Sequence, residues 1–431
     1  MKEQDKIPTS KGARTGRFLK TGVQIGGNYL KHYAKKLVNS ETDENDLHQA
    51  NAEDIYDALS ELKGSALKVA QMMSMDQGIL PEAYADRFSL AQYSAPPLSY
   101  PLVIQSFRKA IGKSPNDIFD SFTQKAVSAA SMGQVHQAEL DGNKYAVKVQ
   151  YPGVKDSLQS DLKVVKPLAA RLFQLNPSDI EHYVSEVATR MEEECDYVLE
   201  LERGSGISEA CAHLDNLVFP KYYPQWSNDR ILTMDWMDGL HLKEFLATNP
   251  SDEIKQQIGQ AIWDFYDFQI HTLHELHADP HPGNFLFTQD GKVGIIDFGC
   301  VKKLPTSFYN SFFKLTEKDI LNDEDKLDSA LMELKFYEEK DEQELKTFIF
   351  NTMSEFLELL GRPFRESPFD FGNLEYIEKI YAMGNKYGKD KKIRKIGAGR
   401  GPADAIYLNR TYFGLYTLLH KLGVSVNTER K

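Results

Sequence analysis

The feature that most restricts the fold of this chain is a polar loop followed directly by a short hairpin. The loop reads HADPHPGNF at 277–285. Proline has no backbone N–H to donate to a helix or a strand, so the loop displays its polar side chains instead of packing them. The next residues, FLFTQDGKVGIIDFG, read as two short strands around a turn at 290–291 and end in DFG at 297–299. The hairpin therefore places the end of the loop beside this DFG triplet.

Two kinds of chemistry suit the loop. His277, Asp279 and His281 alternate like the ligands of a metal ion, which would indicate a metallohydrolase. His277, Asp279 and Asn284 instead follow the spacing H-x-D-x-x-x-x-N of a phosphoryl-transfer loop. The second interpretation also explains the hairpin, because Asn284 and Asp297 supply the oxygen ligands that Mg²⁺ prefers. We therefore predict phosphoryl transfer, with Asp279 orienting or deprotonating the attacking hydroxyl or water. His277 is predicted to be structural, and His281 receives no role.

A second DFG triplet occurs at 370–372, inside SPFDFGNLEY. No loop of the form H-x-D-x-x-x-x-N precedes it. We therefore interpret this second copy as a chance match.

An upstream hairpin supplies a lysine of the kind that phosphoryl transfer needs. Residues 131–150 read as two strands around a turn at 141–143, and in the second strand Lys148 points away from its valine neighbours. We predict that Lys148 holds the α- and β-phosphates of a nucleotide. A helix predicted from about 179 to 203 carries Glu200, which we expect to pair with Lys148.

The length of 431 residues exceeds what one hydrophobic core usually supports, so we expect two lobes or domains that share a cleft. A β-rich region precedes a mainly helical one, in which the apolar spacing predicts a helix from 253 to about 275. The expected boundaries are 1–95 for a basic helical extension, 96–236 for an N-lobe and 237–431 for a helical C-lobe. The predicted fold class is α+β.

Charge is distributed unevenly along the chain. The net charge is −12, yet residues 1–38 hold nine Lys or Arg against two acidic residues. The acidic remainder argues against nucleic-acid binding, whereas the basic start and a basic stretch at 386–400 suit either an anionic membrane surface or plain solvent. No run of about 18 apolar residues predicts a membrane-spanning helix. The three cysteines are too few for a disulfide framework, so we expect a reducing, cytoplasmic setting.

Several motifs in order resemble the UbiB/ADCK (AarF-domain) family of atypical kinase-like proteins. They cover most of the chain from about residue 50. The motifs are AASMGQVH at 129–136, AVKVQYPGV at 146–154, ECDYVLELE at 194–202, HADPHPGNF, IIDFG and RGPADAIYLNRTYFGLY at 400–416.

This resemblance implies a bilobal protein-kinase-like fold, with a small antiparallel β-sheet N-lobe, a helical C-lobe and an N-terminal helical extension. It implies ATP or ADP with Mg²⁺ as cofactors and an alanine-rich loop over the nucleotide. It makes Lys148, Glu200 and Asp279 the catalytic residues. The residues expected at the nucleotide are Ala129, Ala130, Ser131, Met132, Gly133, Gln134, Lys148 and Met237.

The family extension carries a K-x-G-Q motif that resembles Lys68 to Gln71, with alanine at position 70 in place of glycine. In the family, an E-x-D pair that matches Glu194 and Asp196 meets this lysine. From the residues alone, Lys68 either extends to solvent or pairs with the acidic run at 192–196. The resemblance favours the pairing.

The function implied by the resemblance is that of an ATPase-type kinase-like factor for isoprenoid quinone or related lipid metabolism. Its expected partners are a nucleotide, an anionic membrane surface or quinone precursor, and quinone-biosynthesis proteins. The expected location is the cytoplasm, with peripheral attachment to the inner face of the membrane. Two alternatives remain: a small-molecule phosphotransferase of the aminoglycoside or choline kinase type, and a non-catalytic, nucleotide-gated protein that binds lipids or partners.

Overall fold

The computed structural model of the protein describes residues 97–129, 132–173, 191–388 and 400–430, with isolated positions at 12, 16, 20, 51, 53–56, 188, 189, 390 and 392. The chain divides into two compact units. The first comprises Met1–Glu202 with Lys221–Trp236, and the second comprises Arg203–Pro220 with Met237–Lys431.

An antiparallel sheet forms the centre of the first unit. Its strands follow the spatial order β1, β3, β4, β6, and β2 also pairs with β3. The hairpin between β3 and β4 was predicted correctly: Asp141 and Gly142 both have positive φ, as the tight turn of a hairpin requires. The strands are β1 Ser121–Phe122, β2 Ser128–Ala129, β3 Gly133–Leu140, β4 Asn143–Gln150 and β6 Ile231–Asp235.

In the described stretches from residue 97 onward, the helices that lie or begin in the first unit are α1 Tyr100–Ile111, α2 Val154–Phe173 and α3 Tyr197–Ala210. The core of this unit forms where Phe107 of α1 packs against Phe122 of β1, with ring centroids 6.2 Å apart.

The segment predicted as one helix across 179–203 is helical in its second half but interrupted there. The chain leaves the helical path at Cys195 and Asp196, and the Asp196 side chain accepts a hydrogen bond from Leu199 N to start α3 as a new helix. Helix α2 was not predicted. Positions 179–187 of the predicted helix lie outside the described residues.

The strands of the second unit are short and come in pairs. β8 and β9 form the predicted hairpin, β5 runs parallel to β9, β7 pairs with β10, and β11 pairs with β12. Their bounds are β5 Leu217–Val218, β7 Glu275–His277, β8 Phe285–Phe287, β9 Val293–Ile295, β10 Val301–Lys303, β11 Phe369–Asp370 and β12 Ser425–Val426.

Helices make up most of the rest of the second unit. Helix α5, Asp252–Phe268, confirms the predicted amphipathic pattern, because Ile258, Ile262 and Phe265 are buried on one face. It ends earlier than predicted, in a π-helical turn at Gln269–Leu273 that precedes β7. The helices are α4 Leu242–Ala247, α5 Asp252–Phe268, α6 Thr306–Phe312, α7 Glu324–Glu333, α8 Gln343–Leu360, α9 Arg362–Arg365, α10 Leu374–Gly388 and α11 Ala403–Leu422.

The basic segments differ in how far the structure describes them. Most of residues 1–38 lie outside the described part. In the 386–400 stretch, Lys386 pairs with Glu355, Lys392 with Glu344 and Arg400 with Asp341. Among the described residues, no helix combines the length and the apolar character needed to cross a membrane.

Candidate functional site

Two antiparallel strand pairs hold the polar loop beside the first DFG triplet. The loop leaves β7 after His277 and enters β8 at Phe285, while DFG lies between the end of β9 and the start of β10. Across the first pair Ala278 N donates to Cys300 O at 2.9 Å, and across the second Ile296 N donates to Asn284 O at 3.1 Å. Each end of the loop is therefore bonded to a residue next to DFG.

His277 fastens the loop to DFG from inside. Its side chain is buried, with Nε2 2.7 Å from Asp297 O and Nδ1 3.1 Å from Tyr266 Oη. Burial, and then the nearby Asp279 and Cys300, raise the pKa of the Tyr266 phenol, so the hydroxyl keeps its proton. A carbonyl oxygen only accepts, so Nε2–H donates to Asp297 while Nδ1 accepts from Tyr266. Both ring nitrogens are thus occupied, which is the structural role predicted for His277.

Asp279 and Asn284 face each other across the loop. The Asn284 amide group donates through Nδ2 to Asp279 O at 2.9 Å and to Asp279 Oδ2 at 3.1 Å. Its nitrogen is therefore directed at Asp279, and its oxygen is directed elsewhere. In the neighbouring triplet, Gly299 N donates to Asp297 Oδ1 at 2.9 Å, which fixes the direction of that carboxylate.

The donor chemistry of Asn284 and Asp297 fits a hard cation. Both side chains offer oxygen, as Mg²⁺ requires, and both are attached to residues that the hairpin holds rigidly. In the part of the chain that is described, no group of three or more His, Cys, Asp or Glu side chains is arranged to hold a metal ion. The metallohydrolase interpretation of His277, Asp279 and His281 therefore gains no support.

His281 shapes the loop locally. Its Nδ1 accepts a hydrogen bond from Gly283 N at 3.0 Å, at the start of the short helical turn Pro282–Asn284. This bond orients the turn that carries Asn284.

Helix α11 supports the loop from outside, a feature that sequence reasoning missed. A Cβ atom added at Gly414 would lie 2.4 Å from Cγ of Pro280, the residue after Asp279. Real Cβ atoms essentially never come this close to another heavy atom, and a proline ring has little freedom to move. The only sequence signal was that Gly414 lies within the motif at 400–416.

Lys148 and Glu200 form an ion pair within the first unit. Lys148 Nζ donates to both carboxylate oxygens of Glu200 at 2.9 Å, and Glu200 is 2 % exposed. Lys148 lies on β4 opposite Val135 of β3 and Leu232 of β6, which fixes its place in the sheet. The pair has the expected partners, and its role in binding phosphates stays a prediction.

The alanine-rich segment borders the same sheet. Ala129 ends β2 and Gly133 begins β3, while Ala130 and Ser131 lie outside the described residues. The side chain of Gln134 is buried, with Oε1 accepting from Leu98 N at 2.7 Å and Nε2 2.8 Å from His136 Nε2. Met132 is also buried. Any contact of Met132 or Gln134 with a nucleotide would therefore use the main chain.

The remaining predicted residues are placed only in part. Met237 lies in the second unit, where its Cε would be 3.1 Å from a Cβ added at Gly294. Asp196 caps α3 and lies 3.7 Å from Lys155 Nζ, and Glu194 is half-buried in the preceding helical turn. Lys68 and Gln71 lie outside the described residues, so their predicted meeting with Glu194 and Asp196 stays a prediction.

The second DFG triplet has a different setting. Asp370 ends β11, and Phe371 is buried against Trp263 and Tyr416 at ring-centroid distances of 5.8 and 5.0 Å. The Asp370 carboxylate accepts from Gly372 N at 2.9 Å, just as Asp297 accepts from Gly299. The local turn is therefore shared, but it occurs here without the polar loop.

Comparison with known proteins agrees with this geometry. Residues 90–331 match the sequence model described as the ABC1 atypical kinase-like domain. An aarF domain-containing protein kinase of the Arabidopsis thaliana chloroplast is 29 % identical over 70 % of this chain, and the match covers 44 % of that protein. The chain thus spans less than half the length of this relative.

Two other similarities extend over nearly the whole chain. The mitochondrial atypical kinase COQ8 of Saccharomyces cerevisiae is 26 % identical over 98 % of this chain and 84 % of its own length. Among solved structures, the Rv3197–erythromycin complex from Mycobacterium tuberculosis superposes with a TM-score of 0.61 at 26 % identity, covering 89 % of this chain and 95 % of the other. The antiparallel sheet and the helical unit are thus parts of a kinase-like fold.

Proposed function

The chain belongs to the ABC1 atypical kinase-like family, and from this premise we propose that it binds ATP or ADP with Mg²⁺ and catalyses phosphoryl transfer or hydrolysis. The observation that carries the proposal is the direct bonding of the loop to DFG through His277 Nε2 and Asp297 O. This bond, together with the β8–β9 hairpin, keeps Asp279, Asn284 and Asp297 in a fixed arrangement. Such preorganisation is what phosphoryl transfer requires, because most of its catalysis is positioning and charge stabilisation.

Each side chain has a distinct task in this proposal. Lys148, held by Glu200, contacts the α- and β-phosphates. The Asp279 carboxylate accepts the proton of the attacking hydroxyl or water, and the Asn284 amide holds that carboxylate in place. Asn284 and Asp297 would hold Mg²⁺, which when bound neutralises charge on the phosphate oxygens.

We further propose that the activity serves isoprenoid quinone or related lipid metabolism at an anionic membrane surface. Support comes from the family resemblance and from the similarity to COQ8. Of the two basic segments, residues 1–38 are the more suitable to face the membrane, because they carry excess positive charge. In the 386–400 stretch, three basic residues already pair with acidic residues of the same unit.

The test is ATP turnover by the full chain with Mg²⁺, measured with anionic liposomes, neutral liposomes or no lipid, and with or without a quinone-like phenol. We expect anionic lipid and phenol to raise turnover, high salt to reduce the lipid effect, and Lys148→Ala to abolish turnover. Lys386→Ala serves as a matched control, because this lysine pairs with Glu355 on the surface. Equal turnover with neutral and anionic liposomes would reject the membrane part. Nucleotide binding without turnover would favour the nucleotide-gated binding protein.

One observation favours a second function, phosphorylation of a small hydroxyl-bearing molecule. The structure of the solved relative of 26 % identity is that of an erythromycin complex. If this chain phosphorylates such molecules, mass spectrometry of erythromycin after incubation with Mg-ATP will show one added phosphoryl group. Unmodified erythromycin alongside sustained ATP turnover would remove this acceptor from consideration.

A further inference from the structure

We propose that Tyr197 is a positioning residue that couples the described end of the alanine-rich segment, residues 132–134, to the Lys148–Glu200 ion pair. The inference rests on the proposed function, and it adds a mechanical connection between two parts that the nucleotide would contact. Tyr197 is the first residue of α3, and its side chain is fully buried.

One turn of α3 holds Lys148 from two sides. Lys148 Nζ lies 5.1 Å from the centroid of the Tyr197 ring, within the range of a cation–π attraction. Glu200, three residues later on the same helix, accepts hydrogen bonds from the same ammonium group at 2.9 Å. Residues three apart on a helix lie on the same face. The position of the Lys148 ammonium group therefore depends on the position of the first turn of α3.

The hydroxyl of Tyr197 lies against the alanine-rich segment. A Cβ atom added at Gly133 would lie 2.6 Å from Tyr197 Oη and 2.7 Å from the carbonyl oxygen of Val149. Glycine is therefore needed at this point because both the phenol and the strand approach the backbone closely. The end of the alanine-rich segment rests directly on Tyr197.

The residues just before α3 are fastened to the same place. Gln150 Nε2 donates to Cys195 O at 3.0 Å, and the sulfur atoms of Cys195 and Met132 lie 4.0 Å apart. Tyr151 N donates to Met132 O at 2.9 Å. A shift of the start of α3 would therefore move Met132 and Gly133 and loosen the ion pair at the same time.

A tyrosine that only fills the core would behave differently from a coupling residue. Substitution of a core-filling tyrosine would change the stability of the protein, but it would leave the ratio of the affinities for ADP and adenosine unchanged. A coupling residue alters how the segment meets the phosphates, so it changes ADP affinity more than adenosine affinity.

The experiment is a double-mutant cycle on the full chain with Gly133→Ala and Tyr197→Phe, read by Mg-ADP and adenosine affinity. Tyr197→Phe keeps the ring under Lys148 and removes the hydroxyl. We expect Gly133→Ala to weaken ADP binding on the order of tenfold, with adenosine little affected. In the Tyr197→Phe background the same substitution should cost at least about threefold less, because the contact of the methyl group with the hydroxyl is gone and only its close contact with the Val149 carbonyl remains. Tyr376→Phe, which removes a buried hydroxyl in the second unit, is the control.

The outcomes separate this inference from the proposed function. The role of Tyr197 would be overturned if the loss of ADP affinity in the double variant equalled the product of the two single losses, or if ADP and adenosine lost affinity equally. Either result would leave the proposed nucleotide binding unaffected. If the wild-type protein binds no nucleotide, the proposed function fails. The coupling is then tested by the rate of amide hydrogen exchange at 127–135 in the single and double variants. Faster exchange in Gly133→Ala that Tyr197→Phe partly reverses supports the coupling, and an absence of reversal refutes it.

Discussion

Asp279→Asn is expected to lower the rate of ATP turnover on the order of 10²- to 10⁴-fold, the usual contribution of a positioned general base. Asparagine has nearly the same shape as aspartate, but it cannot take a proton from the attacking hydroxyl or water. The bond from Asn284 Nδ2 can persist, because the asparagine side chain keeps one accepting oxygen. Nucleotide affinity should therefore change little. Turnover and ADP binding are measured on the same preparation.

The matched control for this variant is Asp290→Asn, at the exposed turn of the β8–β9 hairpin. It removes one carboxylate from the same region without touching the loop. If Asp279→Asn turned over ATP at a rate close to that of Asp290→Asn, Asp279 would not be the general base.

Gly414→Ala is expected to slow turnover by about one to two orders of magnitude, because small displacements of catalytic groups have effects of this size. The added methyl group would meet the Pro280 ring, so the ring and the adjacent Asp279 must move. The displaced carboxylate would act on the attacking group less well, whereas nucleotide binding through Lys148 should be affected less. Steady-state kinetics give the change in kcat and in KM.

Gly206→Ala is the control for Gly414→Ala, because both glycines lie in helices. Gly206 lies in α3, where an added Cβ atom would meet nothing within 4 Å. Alanine is favoured over glycine in a helix, so this substitution should leave turnover and folding intact. Identical kinetics for the two alanine variants would mean that Pro280 is not held by α11 in the way the structure indicates.

The local parts of the candidate site could be predicted because short-range rules govern them. Prolines at 280 and 282 exclude a strand or a longer α-helix, and the turns at 141–142 and 290–291 carry the Asp-Gly signal of a hairpin. The alternation along β4 fixed the direction of Lys148 for the same reason. These features depend on neighbouring residues alone.

Contacts between distant residues could not be predicted in this way. Nothing in the residues near Gly414 shows that Pro280 will approach it, and nothing near Tyr266 shows that it will bond to His277. The helix break at Asp196 was missed because the acidic residues around it also suit a continuous helix, and only the capping bond to Leu199 N reveals it.

Glu200 was predicted as the partner of Lys148 from its place on the following acidic segment, and the family resemblance agreed with this choice. The segment at 192–202 contains several other acidic residues, and the residues alone did not distinguish between them. The structure shows why Glu200 differs: it is buried and its carboxylate faces Lys148 across a separation of 52 residues.

The most direct test of the central claim is calorimetric titration of ATP into the full chain with and without Mg²⁺, for the wild type, Asp297→Asn and Asp370→Asn. The two aspartates sit in equivalent DFG turns, and only Asp297 lies beside the polar loop. We predict that Mg²⁺ raises ATP affinity at least about tenfold in the wild type and in Asp370→Asn, and that Asp297→Asn loses this gain while its melting temperature is unchanged. An Asp297→Asn protein that still binds ATP more tightly with Mg²⁺, to the same extent as the wild type, would contradict the account.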